Sequence, residues 1–186
     1  MRVIAGTARS LPLKTPEGMD TRPTTDRIKE TLFNMLQTDI PGAVFADFFS
    51  GSGGIAIEAL SRGAVRAYLV ENGRQALKCI QDNLHFTKME DRAVVLGQDV
   101  MAALSRIPEK RVDLIFMDPP YNKLLEKTVL QYLSRSSLID QETVMIVEAS
   151  LETKGDYLSE LGLTLVKEKV YKTNKHLFIT KGETLE

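Results

Sequence analysis

At 186 residues, 43% hydrophobic and with a net charge of −1, the chain is sized for one domain with a real core and leaves no room for a second full domain. The single cysteine, Cys79, excludes an internal disulfide framework and suits a reducing compartment, where a buried, inert thiol is expected. No apolar run reaches about 18 residues and no signal-peptide core is present, so a cytoplasmic, non-membrane protein is expected.

Near-neutral net charge argues against a protein coated in nucleic acid, but the charge is uneven. Residues 1–30 carry six Lys/Arg against four Asp/Glu, residues 167–181 carry five Lys against one Glu, and the remainder is left with −7. Basic ends on an acidic body form a candidate surface for phosphates, with Arg2, Arg9, Lys14, Lys172 and Lys175 as its cations.

In chain order, residues 1–23 hold short β-like pieces broken by glycine and proline, which predicts an arm or hairpin outside the core. Ile28, Leu32, Met35 and Leu36 then share one helical face, with Thr24 or Thr25 as cap and Asp26 complementing the dipole; Pro41-Gly42 closes this helix. A boundary at residue 40 therefore separates arm and helix from one compact unit, 41–186. Strands are expected at 43–49, 66–70, 93–97, 112–117 and 143–147, alternating with helices at 55–62, 74–86, 100–107 and 124–133. This order predicts an α/β fold with a parallel sheet covered on both faces. Two last strand-like runs, 163–171 and 176–180, are joined by a link too short for a helical crossover. They form an antiparallel hairpin, which brings the mostly parallel sheet to seven strands.

Chemistry concentrates at two strand ends. The apolar run 112–117 stops at Asp118-Pro119-Pro120-Tyr121, where neither proline can continue a sheet ladder and Asp118 lies at a carboxyl strand end, the ligand-binding edge of open α/β sheets. Asp118 offers a carboxylate, Pro119 a carbonyl without a competing N–H, and Tyr121 a ring on which a base can stack. The first strand runs into Ser50-Gly51-Ser52-Gly53-Gly54, whose glycines admit a ligand close to the backbone. Gly51, Gly53 and Ala56 satisfy the dinucleotide pattern and Glu71 follows 20 residues after Gly51, so an NAD-type enzyme is a rival reading. Asp47 weighs against it, since a carboxylate repels a pyrophosphate and attracts an amino group. Glu71 can accept from two ribose hydroxyls, and Asp99 can cap the following helix or meet an adenine amine. His85 and His176 stand apart in sequence, so no metal site is expected.

Asp118-Pro119-Pro120-Tyr121 resembles the signature of S-adenosylmethionine-dependent methyltransferases acting on exocyclic amines of nucleobases, and Asp47 to Gly53 is similar to their cofactor loop. Arg2 to Gly6, together with Arg22-Pro23-Thr24-Thr25-Asp26-Arg27 and the Leu32-Phe33-Asn34 helix, resembles the RsmD family, which methylates N2 of a guanine in small-subunit ribosomal RNA. That resemblance implies a Rossmann-like class I methyltransferase fold, a monomer, and S-adenosylmethionine held by Asp47, Phe49, Gly51, Ser52, Gly53, Glu71, Asn72 and Asp99, with Arg22, Thr24 and Asp26 above. It also implies ribosomal RNA, free or in an assembling small subunit, as partner. Ser10 and Lys172 depart from the family pattern, which favours glycine at both places. An adenine-N6 methyltransferase and a catalytically silent RNA-binding factor are the alternatives.

Overall fold

The computed structural model describes residues 1–16, 25–121 and 123–182. The chain divides into two compact units, Met1–Ile107 and Pro108–Glu186. In the first, helix α1 (Asp26–Met35) is followed by β1 (Val44–Phe48), α2 (Gly54–Ser61), β2 (Arg66–Val70), α3 (Arg74–Thr87), β3 (Ala93–Leu96) and α4 (Val100–Leu104). β2 pairs in parallel with both β1 and β3, Val44 lying opposite Arg66 and Ala67 opposite Ala93. Phe45, Ala46, Asp47 and Phe48 of β1 are all buried, so the strand shows none of the alternation of a one-faced sheet, whereas β3 is half-buried along its length.

Thr25 caps α1, its hydroxyl accepting from the Ile28 N–H at 3.3 Å. Leu32 and Leu36 are buried as their spacing predicts, while Ile28 and Met35 are half-buried. Phe33 does more than expected: its ring stacks on that of Phe45 at 6.4 Å and docks the helix on β1. α4 stops at Leu104, short of the predicted 107: the Arg106 N–H closes a tighter last turn on the Ala103 carbonyl at 2.8 Å, and Pro108 biases Ile107 away from helical backbone.

The N-terminal segment is a hairpin, bridged from Arg2 to Pro12, but it is not outside the core. Val3, Ala8 and Leu13 are buried. The hairpin is fastened to α2, where Glu58 accepts from the Ile4 and Ala5 N–H groups at 2.7 and 3.0 Å and Ser61 Oγ donates to the Ala5 carbonyl at 2.6 Å. Gly6 makes the approach possible: a Cβ there would lie 1.8 Å from the Ser61 carbonyl oxygen. Lys29 of α1 is fully buried beside Glu58, with Nζ 3.3 Å from Oε2 and donating also to the Arg2 carbonyl.

Ser10 turns the hairpin at φ +69°, a left-handed conformation that costs a non-glycine residue about 1–2 kcal/mol. Ser10→Gly removes that strain and gives back part of the gain as unfolded-chain entropy, so we expect it to stabilise the fold by about 0.5–1 kcal/mol in urea denaturation. An unchanged midpoint contradicts this.

The second unit contains β4 (Leu114–Met117), α5 (Leu125–Ser134), β5 (Val144–Ala149), β6 (Leu163–Val170) and β7 (Lys175–Lys181). β4 and β5 are parallel, β5 and β7 antiparallel, and β6 closes the hairpin on β7 with an irregularity between Leu165 and Lys167. Among the described residues no helix is long and apolar enough to cross a membrane.

Candidate active site

In the first unit, the carboxyl end of β1 turns tightly into α2. Phe49 adopts φ +65° without being glycine, a strain that persists because the turn is over-determined: the Ser50 N–H donates to the Val70 carbonyl at 3.0 Å and the Gly53 N–H to that of Ser50 at 2.8 Å. Gly51 and Gly53 both have positive φ but serve different ends. A Cβ on Gly53 would press on Leu69 at 3.0 Å, whereas one on Gly51 would meet nothing within 4 Å. The turn is thus packed at Gly53 and leaves open space beside the Gly51 backbone.

Three carboxylate acceptors lie at or just beyond the carboxyl ends of β1, β2 and β3. Asp47 is buried and its Oδ2 accepts from the Ala56 N–H at 3.2 Å. Glu71, at the end of β2, accepts from the Gly51 N–H with Oε2 at 2.9 Å and from Asn72 and Gly73 N–H groups with Oε1 at 2.9 and 2.8 Å. It thereby ties the glycine turn to the start of α3. Asp99 caps α4, accepting from the Met101 N–H at 2.8 Å. Carboxylates and an open glycine backbone suit a ligand with hydroxyl and amino donors better than an anion. Ser52 is buried and its carbonyl accepts from Asn83 Nδ2 at 2.9 Å; Asn72 is exposed. Asp26 holds the hairpin by pairing with Arg2 Nε at 3.0 Å, and Arg22 and Thr24 lie outside the described residues.

In the second unit, Asp118 follows β4 directly and is half-buried, Pro119 is buried, Pro120 is exposed, and the Tyr121 residue keeps 42% of its surface open. Burial and, after it, the charge of Glu148 push the Asp118 carboxyl well above the ordinary carboxylate range, up to about 8. Glu148, near the end of β5, is itself buried. One oxygen accepts from Asn174 Nδ2 and lies 3.4 Å from the Tyr121 hydroxyl; the other lies 3.3 Å from His176 Nε2. His176 Nδ1 is in turn 3.3 Å from the Tyr171 hydroxyl, and Phe116 meets its ring edge-on at 5.8 Å. Burial and Glu148 raise the Tyr121 hydroxyl well above the ordinary tyrosine range.

Glu148, Asn174, His176 and Tyr171 were not among the site residues expected from the sequence. Glu148 alone carried a signal, its place at a carboxyl strand end. His176 appears isolated in sequence, yet cross-strand pairing sets it opposite Glu148. His85 is exposed and pairs with Glu90 at 3.0 Å. Cys79 is buried and its thiol is pushed up by that burial.

The five expected RNA-binding cations are placed unequally. Arg9 and Lys172 are exposed. Arg2 is exposed but paired with Asp26, and Lys14 pairs with Asp82 at 2.9 Å. Lys175 is buried in β7 and lies 3.4 Å from Glu168 of β6, so its ammonium is directed to a cross-strand carboxylate.

Residues 1–180 match the family model described as conserved hypothetical protein 95. The chain is 34% identical over 154 residues to ribosomal RNA small subunit methyltransferase D of Escherichia coli (strain K12), spanning 82% of this chain and 76% of that protein. It is 33% identical over 174 residues to the protein of the same name in Haemophilus influenzae, spanning 91% and 88%. A solved structure described as "Putative methyltransferase yhhF from Escherichia coli" matches with a TM-score of 0.83 at 31% identity over 99% of both chains. The shared architecture is the class I methyltransferase fold, seven strands with helices.

Proposed function

Because the chain belongs to the family described as conserved hypothetical protein 95, the RsmD family, we propose that it uses S-adenosylmethionine to methylate small-subunit ribosomal RNA, at the exocyclic N2 of a guanine. The observation that carries this reading is the end of β4, where a half-buried carboxyl and a proline carbonyl precede an exposed aromatic ring. An exocyclic amine is a weak nucleophile because its lone pair is delocalised into the ring. Asp118 and the Pro119 carbonyl accept its N–H groups and favour a more pyramidal nitrogen, while the Tyr121 ring stacks on the base.

The cofactor's sulfonium supplies an already activated methyl group, so positioning and acceptors suffice and no covalent nucleophile is required. Glu71 accepts from the ribose hydroxyls, Asp47 faces the methionine amino group, and Asp99 accepts from the adenine amine. The open Gly51 backbone admits the ligand close to the turn. Phe49, Ser52, Gly53 and Asn72 line or hold this turn, and Asp26 holds the N-terminal hairpin through Arg2. Arg9 and Lys172 bind phosphates, with Arg2 and Lys14 joining them by exchanging their carboxylate partners.

The test is transfer of labelled methyl from S-adenosylmethionine to small-subunit ribosomal RNA, supplied naked and as an assembling particle. Label in RNA in either form supports the reading; label in neither, with the cofactor bound, contradicts it. Glu71→Ala is expected to weaken cofactor binding in calorimetry by at least about threefold, roughly 0.7 kcal/mol or more, and NADH is expected not to bind. Saturable micromolar NADH binding would instead favour a dehydrogenase. For RNA, affinity falls steeply with salt, and reversing charge at Arg9 and Lys172 lowers it while cofactor affinity holds; a flat salt titration contradicts phosphate contact.

A further inference from the structure

We propose that Glu148 is a positioning residue that aims the Tyr121 ring, one carboxylate oxygen taking the Tyr121 hydroxyl together with Asn174 Nδ2 while His176 holds the other oxygen. The inference deepens the amine-methylation reading and rests on it for the identity of the stacked base. Its geometry stands apart from that reading.

A carboxylate buried at a strand end is costly unless donors repay its lost hydration, and here three side-chain donors converge on it. In the tautomer that donates from His176 Nε2 to Oε2, Nδ1 accepts from the Tyr171 hydroxyl. The chain then runs from Tyr171 Oη–H to His176 and from His176 to Glu148, with Tyr121 Oη–H donating to Glu148 as well. Phe116 and Tyr171 hold the imidazole edge-on at 5.8 and 5.0 Å, and the Glu148–His176 register of β5 and β7 aligns the pair. Tyr121 differs from its partners in lying on a loop with an open ring. The tether to Glu148 restricts that ring's rotamers and presents one face.

A glutamine in the same place keeps only an uncharged carbonyl for Tyr121 and Asn174 and turns its N–H groups towards His176 Nε2, so the hold on Tyr121 weakens and the His176 contact survives only in the opposite tautomer. The charge has a second consequence. The titratable groups around Glu148 are Asp118 at the end of β4, Tyr121 after it, His176 on β7 and Tyr171 on the turn before β7; Lys175 is drawn to Glu168, and Lys169 of β6 lies in register with His176. Among these the like charge of Glu148 acts on Asp118 and helps keep it protonated.

The test combines rates with a readout that needs no RNA. In single turnovers with cofactor and RNA saturating, Glu148→Gln is expected to lower the plateau rate about tenfold and to move the rising limb of the pH profile down by about one unit; Tyr121→Phe lowers the rate similarly and leaves the limb in place. Carbon-13 NMR of the Asp118 carboxyl is expected to show the same downward shift in Glu148→Gln. Ring-labelled tyrosine, one of five in the chain and its Tyr121 signal identified by its absence from Tyr121→Phe, shows loss of Tyr121 order in Glu148→Gln. Cofactor affinity, measured by calorimetry, certifies that each variant is folded. An unmoved Asp118 titration with an equally ordered Tyr121 in Glu148→Gln overturns the proposal. If the NMR changes appear but the wild-type protein methylates no RNA, the tether stands and the amine-methylation reading falls.

Discussion

Asp118→Ala is expected to lower single-turnover methyl transfer a hundredfold or more while the protein still folds and binds cofactor, because an acceptor aimed at developing charge is typically worth about 3 kcal/mol. Asp118→Asn keeps the size and one carbonyl acceptor, and intermediate activity is expected from it. The wild-type pH profile follows from the burial of this carboxyl. A protonated Asp118 offers one carbonyl acceptor and a donor, so acceptance of amine N–H groups improves as it ionises, and kcat/KM for RNA is expected to rise through about pH 8. Stability has the opposite sign. The folded protein holds on Asp118 a proton that the unfolded chain releases near pH 4, so this contribution is complete below about pH 4 and is lost as pH rises through about 8. Wild-type single-turnover rates in Asp118→Ala contradict the role; lower stability with normal turnover would reduce Asp118 to a residue that closes the strand turn.

Glu58→Ala is expected to cost about 3–5 kcal/mol, since removing one member of a buried ion pair leaves the other charge uncompensated. Here Lys29 has no exposed surface, and the Ile4 and Ala5 N–H groups lose their acceptor as well. Arg62, 2.8 Å from Glu58 Oε1, is more open and can turn to water. For a chain of this length the loss corresponds to a melting temperature lowered by roughly 10 °C or more. Replacing Lys29 and Glu58 together by methionine is expected to be less damaging than Glu58→Ala, because no buried charge is stranded. Denaturant unfolding measures both, and a Glu58→Ala loss below about 1 kcal/mol contradicts the view that this cluster fastens the hairpin to α2.

The elements were legible where local chemistry decides them. The Thr25 cap, the Asp118 strand stop and the glycine turn each follow from residues a few positions apart, and all seven strands lie within a residue or two of their expected places. The burial of the N-terminal hairpin was not legible, because its glycines and prolines describe a turn-rich segment while the residues that bury it, Glu58 and Ser61, lie more than 50 positions on. Lys29 interrupts an apolar face and looks solvated until Glu58 is placed beside it. Lys175 likewise reads as one of a row of surface cations, and only cross-strand pairing sends it to Glu168. The same long-range pairing hid the Glu148–His176 contact, whose members are 28 residues apart. Ser10, noted as a departure from the family's glycine, proved to occupy a left-handed position that explains why glycine suits it.

Digestion of methylated RNA to nucleosides is the direct test of whether the chain methylates the amine of a guanine in small-subunit ribosomal RNA. RNA from a strain lacking this protein is incubated with labelled S-adenosylmethionine and the purified chain, digested, and resolved by chromatography against standards. Label is expected in N2-methylguanosine and is lost with Asp118→Ala. Label in N6-methyladenosine would contradict the assignment to guanine while keeping the Asp118 site, and label in a carbon- or ribose-methylated nucleoside would contradict amine methylation altogether.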